Sequence, residues 1–594
     1  MQTLRLGAGV LILAGVVCAQ VTERVNVSST GSQANNASDL PQRGDFVSGD
    51  GRFVVYQSVA NNLVAGDTNA TWDIFLRDRL AGTTERISVD SAGNQCFGSS
   101  GLFGISISPD GRFVAYYSES NNLVPGDTNG AGDIFLRDRV NGTTERVSLG
   151  SGGVQSNATS QYPALTDDGR YIVFDSGASN LVAGDTNGVE DVFVRDRVSG
   201  TTERVSLSSS GAQANSESGF PTISADGRYV AFASIATNLV SGDTNGFRDV
   251  FVRDRLMGTT ERVSVTTLGT ESNGHSAWWS QICGSGRFVV FTSLATNLVA
   301  GDTNLQADIF MRDRQAGTTV RVSVGPGGTQ ANGVSSFSSI SADGRFVAFS
   351  SGATNLIPGA SGGIFTRDLL HDTIELASVS TSGVNGGGEM PSISADGRFV
   401  AFRSASSNLV PGDTNGWTDV FLHDRLASGF TSLCHPGLDN VIPCPCANPP
   451  SGPARGCDNA SSTGGAALAA SGFAYLAIDS LVFTVSGENP SAASILVQGD
   501  TSRPNGLVFG RGVRCAGGTL RRLFIKTASG GAITAPDFGA GDPTVSARSA
   551  LLGDPIQPGT RTYFVYYRDS SALGGCPAAS TFNATQTGAV TWWP

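Results

Sequence analysis

The sequence predicts an all-β fold, a seven-bladed β-propeller followed by a small disulfide-clamped β-sandwich. Asp-Gly-Arg followed by an apolar run recurs at Asp50, Asp110, Asp168, Asp226, Asp343 and Asp396, with a degenerate copy at Ser285. The separations are 60, 58, 58, 59, 58 and 53 residues. A second phrase, Gly-Asp-Thr-Asn, keeps step with the first, its aspartate falling at 67, 127, 185, 243, 302 and 413. Two markers sharing one period identify a repeat array. After Leu433 the repeats stop and six cysteines follow, which marks a second domain.

Within each period four strands are legible. In the fourth copy they are Pro221 to Ser224, Arg228 to Ser234, Asp249 to Arg255 and Thr260 to Val265. Asp226-Gly227 supplies the tight turn between the first two, because glycine accepts the positive φ such turns require. Val250, Phe251 and Val252 are apolar without alternation, as expected of a sheet buried on both faces. A fourth-strand phrase, Thr22 to Val27, precedes the first complete unit and is expected to complete the seventh blade. Phe430 to Leu433 is the alternative closing strand. Closure removes exposed sheet edges. The Arg-Asp-Arg of the third strand and the Glu-Arg of the fourth suggest pairing within one sheet, such as Arg77 or Arg79 with Glu85.

Composition narrows the function classes. The 594 residues carry only 15% charged side chains and a net charge of -12, with a pI near 4.9. This acidity excludes nucleic acid as an expected partner, since phosphate binding needs a basic surface. Residues 1–19 read as a signal peptide: Arg5, an apolar run from Leu6 to Val17, and small residues up to Ala19. Cys18 leaves a lipoprotein reading beside cleavage after Ala19. The run is too short for a comfortable membrane span, and no later segment has 18 consecutive apolar residues. The expectation is an exported monomer in the periplasm, at the cell surface or outside the cell. Its domains are a propeller over 20–433, a Cys/Pro/Gly-rich linker over 434–460 and a β-sandwich-like domain over 461–594.

The phrases Ile107-Ser108-Pro109-Asp110-Gly111-Arg112-Phe113-Val114-Ala115-Tyr116 and Asp249-Val250-Phe251-Val252-Arg253-Asp254 resemble the repeat of TolB-type, WD40-like propellers. The resemblance covers all seven units. It implies the fold and leaves function open, because the class includes periplasmic scaffolds and the gating domains of peptidases. The chain lacks the N-terminal α/β domain of TolB itself, and its units are lengthened by the Gly-Asp-Thr-Asn insertion. The cysteine-rich tail resembles accessory β domains of large secreted bacterial proteins, for which adhesion or carbohydrate binding is expected.

Function is expected on the long-loop face, where the connections from second to third strand and from fourth to next first strand emerge together. The Gly-Asp-Thr-Asn loops offer oxygen ligands suited to calcium: Asp67, Asn69 and Asp73; Asp127, Asn129 and Asp133; Asp185, Asn187 and Asp191; Asp243, Asn245 and Asp249; Asp302, Asn304 and Asp308; Asp413, Asn415 and Asp419. The same residues also cap turns through their own backbone amides, so metal site and structural turn both stand. In the sixth unit Gly359-Ala360-Ser361-Gly362-Gly363 replaces the motif. Cys434, Cys444, Cys446, Cys457, Cys515 and Cys576 are disulfide candidates with 15 possible connectivities, whereas Cys96 and Cys283 are expected unpaired. No catalytic residue stands out, and the histidines form no zinc spacing. Three readings follow: a non-catalytic binding or scaffold protein taking a protein or glycan ligand, a calcium-dependent structural or adhesive protein, and a polysaccharide-active enzyme with paired rim carboxylates.

Overall fold

The computed structural model describes residues 21–594 except 371, 381–382, 426–430, 433–435, 438–440, 447, 452–454, 460, 472–473, 475–478, 480, 510, 558, 570–581 and 593–594. Residues 1–20 with Cys18, and Cys434, Cys576, His371, His435 and Trp593, lie outside the described residues.

Val21–Arg425 form one compact unit. It contains seven four-stranded antiparallel sheets, the blades of a β-propeller. In blade 4 the strands are Ser218–Ile223, Tyr229–Ser234, Asp249–Asp254 and Thr259–Arg262. Blade 7 takes Glu389–Ile393, Phe399–Ser404 and Asp419–Asp424 from the end of the repeat array and Val21–Arg24 from its start. Val21 pairs with Asp424 and Arg24 with Phe421, so the ring closes through the N-terminal strand. Thr431–Ser432, from the alternative closing segment, pair instead with Gly588 and Ala589 in the C-terminal unit.

Sheet packing explains the uninterrupted apolar strands: Val250, Phe251 and Val252 are each at most 1% exposed. Successive blades interlock at the Asp-Gly-Arg turn. A Cβ on Gly227, whose φ is +74°, would lie 2.6 Å from the Tyr171 ring of the preceding blade, so only glycine fits both the turn and the neighbour. The turn arginine reaches the end of the third strand, Arg52 holding Asp78 through Nε (3.0 Å) and Nη2 (2.7 Å). All seven blades repeat this pair.

The expected pairing of Arg77 or Arg79 with Glu85 is corrected. Arg77 stands opposite Thr84 across the strands, which turns Glu85 to the other face of the sheet, because side chains alternate with period two. Arg77 donates to the Gly82 carbonyl and Thr84 Oγ1. Glu85 faces blade 2 and binds Arg139, while Arg79 binds Glu23 on the closing strand. The remaining junctions carry Arg197–Glu145, Arg255–Glu203, Arg314–Glu261 and Arg425–Glu375. Between blades 5 and 6 both partners change together, to Val320 and Leu369. There Leu369 and Phe288 join one apolar cluster.

The C-terminal unit, by itself, is also β. Thr431–Ser432, Gly588–Trp592, Gly559–Arg568, Ala493–Gly499 and Arg521–Thr527 line up in one sheet, and Phe582–Ala584 also pair with Gly559–Arg568. A second sheet holds Ala467–Ser471, Val482–Ser486 and Ala532–Ala535. The hairpin Thr501–Phe509/Gly512–Gly517 and the helix Val545–Leu551, capped by Thr544, also belong to this unit. Trp592 is 1% exposed and donates to Tyr563 Oη at 2.9 Å, which makes it a packed rather than a presented ring. Cys444 and Cys457 form a disulfide, with Cα atoms 5.7 Å apart. Cys446 and Cys515 are disulfide-bonded as well.

Candidate functional site: the propeller channel

The Gly-Asp-Thr-Asn loops sit on the long-loop face, and each carries an arginine between its carboxylates. Arg146 Nη1 lies 3.0 Å from Asp127 and 3.4 Å from Asp133. Arg204 spans Asp185 and Asp191 (3.1 and 3.0 Å), and Arg262 spans Asp243 and Asp249 (3.0 and 3.2 Å). Arg321 spans Asp302 and Asp308 (3.3 and 3.4 Å), and Arg24 spans Asp413 and Asp419 (3.0 and 3.3 Å). In blade 1 Arg86 stands farther off, 3.9 Å from Asp67 and 3.8 Å from Asp73.

The asparagines donate into the same cluster. Asn129, Asn187, Asn245, Asn304 and Asn415 each turn Nδ2 toward the third-strand aspartate, at 2.8 to 3.1 Å. Asn69 Nδ2 donates to the Cys96 carbonyl. The asparagine Oδ1 atoms accept backbone amides two residues on, closing Asx turns, as Asn245 does from Phe247. Ser88, Ser148, Ser206, Ser264 and Ser323 then donate to Oδ1 of the third-strand aspartates. A cation here must displace a guanidinium and reverse an amide. Among the described residues no group of three or more His, Cys, Asp or Glu is arranged to hold a metal.

Blade 6 shows that these residues act as one unit. Ala360 replaces the loop aspartate, Gly363 the strand aspartate and Leu376 the arginine, all in the same blade. Ala360 and Leu376 enter one apolar cluster.

Repetition accounts for most charges of the propeller, so a ligand site belongs where repetition fails. The seven second strands read Phe/Tyr, Val/Ile, Val/Ala, Tyr/Phe, variable, Ser. The variable fifth residue is Gln57, Tyr117, Asp175, Ala233, Thr292, Ser350 or Arg403. In blades 1, 3, 4 and 6 it pairs with the second residue of the first strand, as Asp175 with Gln161, at the long-loop end of the channel. Directly afterwards the first strands break register, in blade 3 between Gln161 and Ala164 and in blade 4 between Gly219 and Thr222. The breaks hold Tyr162, Phe220, Phe337 and Met390 at φ between +52° and +57°. A bulky residue in the left-handed region costs about 1–3 kcal/mol, and such strain collects at functional sites.

These bulges place a collar of aromatic rings at the channel mouth. The Phe103 and Tyr162 ring centroids are 6.0 Å apart, Tyr162 and Phe220 4.9 Å, and Trp279 and Phe337 4.1 Å. Arg43 crosses from blade 1, donates to the Ser280 carbonyl at 3.0 Å and lies 5.3 Å from the centre of the Phe220 ring. Burial lowers its pKa to about 10, partly offset by Asp175. Asp175 is 3% exposed and accepts the Phe220 amide at 2.8 Å. Burial raises its pKa well above the carboxylate range, against that hydrogen bond. Beneath the collar, Gln281 Nε2 donates to Asp45 at 2.8 Å, joining blades 5 and 1 across the channel.

The sequence reading places the site in the loops and misses the collar. The one available signal is the fifth-residue series, visible only once the repeats are aligned on their serines. Cys96 and Cys283 are buried and free, as expected, and Cys96 donates to Asp73 at 3.0 Å.

No protein-family model matches the chain, and no curated protein matches it. Solved structures do. TolB from Agrobacterium tumefaciens is 17% identical, with a TM-score of 0.31 over 48% of this chain and 80% of its own. TolB from Acinetobacter baumannii is 15% identical, with a TM-score of 0.30 over 63% and 80%. A prolyl endopeptidase structure is 12% identical, with a TM-score of 0.38 over 76% of this chain and 54% of its own.

Proposed function

We propose that the chain is an exported, non-catalytic binding or scaffold protein that takes a protein or glycan ligand at the long-loop mouth of its propeller. The aromatic collar carries this reading. Half-buried rings offer broad faces to an apolar or sugar surface, while Arg43 and the variable polar residues beside them fix orientation. Disulfides and the apolar N-terminal segment support export to an oxidising compartment. The enzymatic reading has a carboxylate pair to offer in Asp175 and Glu190, each absent from the other blades. Asp175 is sealed beneath the Phe220 amide, however, where it braces the collar rather than meeting substrate.

A glycan array and a co-purification from envelope extract, each run with the wild-type protein and with Trp279→Ala/Phe337→Ala, test the proposal. A ligand that is retained by the wild-type protein and lost by the folded double variant supports the collar. Retention by the variant transfers binding elsewhere. Loss after deletion of residues 434–594 with an intact collar assigns the ligand to the C-terminal unit.

A further inference from the structure

The opposite end of the channel has a different chemistry. Viewed from the short-turn face it is a tube of about 150 Å³. Each blade contributes one aliphatic side chain to the wall, from Val47 in blade 1 through Ile223 in blade 4 to Ile393 in blade 7. These side chains are 6%, 9% and 6% exposed. Polar groups interrupt the wall at two levels, Asp167 at the rim and Asp45, Thr222 and Gln281 at the floor. All lining residues belong to the propeller unit.

Asp45 breaks the rule followed by the repeated aspartates. Those at the ends of the third strands each hold an arginine, at 2.6 to 2.7 Å. Asp45 has the Gln281 amide at 2.8 Å, and no ion pair to it occurs among the described residues. Its charged neighbour is another acid, Asp167. Thr222, which lines the same tube, has a buried Oγ1 with no hydrogen-bond partner. A carboxylate held by an amide at the floor of a tube ringed by seven aliphatic side chains, with a hydroxyl among the same lining residues, suits a compact cation carried on hydrocarbon.

We propose that this tube receives a primary ammonium group on an unbranched alkyl stem, with the stem against the aliphatic wall and the ammonium on Asp45 and Thr222. This is the shared chemistry of a lysine side chain and a free alkyl amine. An ammonium is compact, offers three rotatable donors and rides on a flexible hydrocarbon chain. A guanidinium is a planar fork that seeks bidentate partners at a wider opening. The occupant comes from another molecule, because Lys526, the one lysine of the chain, pairs with Asp542 in the C-terminal unit.

Titration of the full chain with n-pentylamine, pentan-1-ol and acetyl-Gly-Lys-Gly amide, followed through isoleucine methyl resonances, tests the site. Pentylamine is expected to move the signals of Ile223 and Ile393 saturably. Asp45→Asn and the uncharged alcohol should each bind at least about tenfold more weakly, equivalent to about 1.4 kcal/mol. Ile223→Phe, which fills the tube and leaves Asp45 in place, should block binding, and its unchanged melting would show that the fold survives. Equal or tighter binding of the peptide points to a lysine in a partner polypeptide, and binding of pentylamine alone points to a free amine. No saturable shift with any amine, or equal affinity in Asp45→Asn, overturns the proposal. Ile223 lines the tube and not the collar pocket, so the outcome of Ile223→Phe is separate from that of Trp279→Ala/Phe337→Ala.

Discussion

Replacing Asp45 with asparagine is expected to stabilise the propeller at neutral pH and to change little at low pH. Burial in the channel raises the Asp45 pKa from 3.8 to about 6, reinforced by Asp167 and opposed by the Gln281 hydrogen bond and the nearby Ser106 hydroxyl. The native state therefore holds its proton at pH values where the unfolded chain has released it. The sign follows: the native protein incurs no ionisation penalty below about pH 4, and a growing one as the pH rises to about 6. About two pH units at 1.36 kcal/mol each bound the penalty at about 3 kcal/mol, and water in the open tube lowers it toward about 2 kcal/mol. Asparagine keeps an acceptor for Gln281 Nε2 and carries no charge at any pH. Urea unfolding of both proteins at several pH values should give curves that coincide near pH 4 and separate by about 2–3 kcal/mol above about pH 7. A difference that does not vary with pH, or a variant less stable than wild type at pH 8, refutes the view of Asp45 as an unpaired carboxylate.

Arg262→Ala should destabilise the protein by about 3–5 kcal/mol in thermal or urea melts, because Asp243 and Asp249 then share a buried site with no cation. In wild type, calcium and chelator should leave the melting temperature of the propeller unchanged; a calcium-dependent rise would return the Gly-Asp-Thr-Asn loops to the metal reading. At the junction of blades 5 and 6, Val320→Glu combined with Leu369→Arg should restore the missing ion pair and add about 0–1 kcal/mol, while Val320→Glu alone gains nothing. Removing Val21–Arg24 should leave Asp419–Asp424 as an open sheet edge, seen as a lower melting temperature and as concentration-dependent association in light scattering.

The propeller was legible because its period is carried by residues whose roles depend on local backbone. The Asp-Gly turn and the four-strand rhythm need only neighbours in sequence. Ring closure was legible for a similar reason, since Thr22-Glu23-Arg24-Val25 repeats the phrase of the other fourth strands. The ion pairs were not. Arg77 and Glu85 lie close in sequence, but one step of strand register sends them to opposite faces, and Glu85 meets an arginine 54 residues later. The calcium reading had the right residue types in the right spacing. The guanidinium that stands between those carboxylates comes from the fourth strand, 19 residues after the loop aspartate in Asp243 and Arg262. The collar lay further out of reach, because it depends on broken register in several blades at once. In the C-terminal unit the alternation from Thr560 to Tyr567 is legible in the sequence and falls within the strand Gly559–Arg568, whereas the short helix and the hairpin with its interior Gly506 have no clear period.

Blade 6 explains why an unpaired charge in the channel carries weight. The loop aspartate, the strand aspartate and the arginine of the other blades give way there together, to Ala360, Gly363 and Leu376, and no member of the charged set remains. The energetics favour this all-or-none pattern, since a buried carboxylate stripped of its partner costs about 3–5 kcal/mol, whereas exchanging the whole cluster for apolar contacts is close to neutral. Val320 and Leu369 follow the same rule at the blade 5–6 junction, where neither glutamate nor arginine survives alone. Asp45 follows neither course: its carboxylate is kept with the Gln281 amide as its partner and, among the described residues, without an arginine. The burden of that carboxylate is relieved when something positive enters the channel, and a group that destabilises the empty protein while favouring an occupant is the property of a binding site.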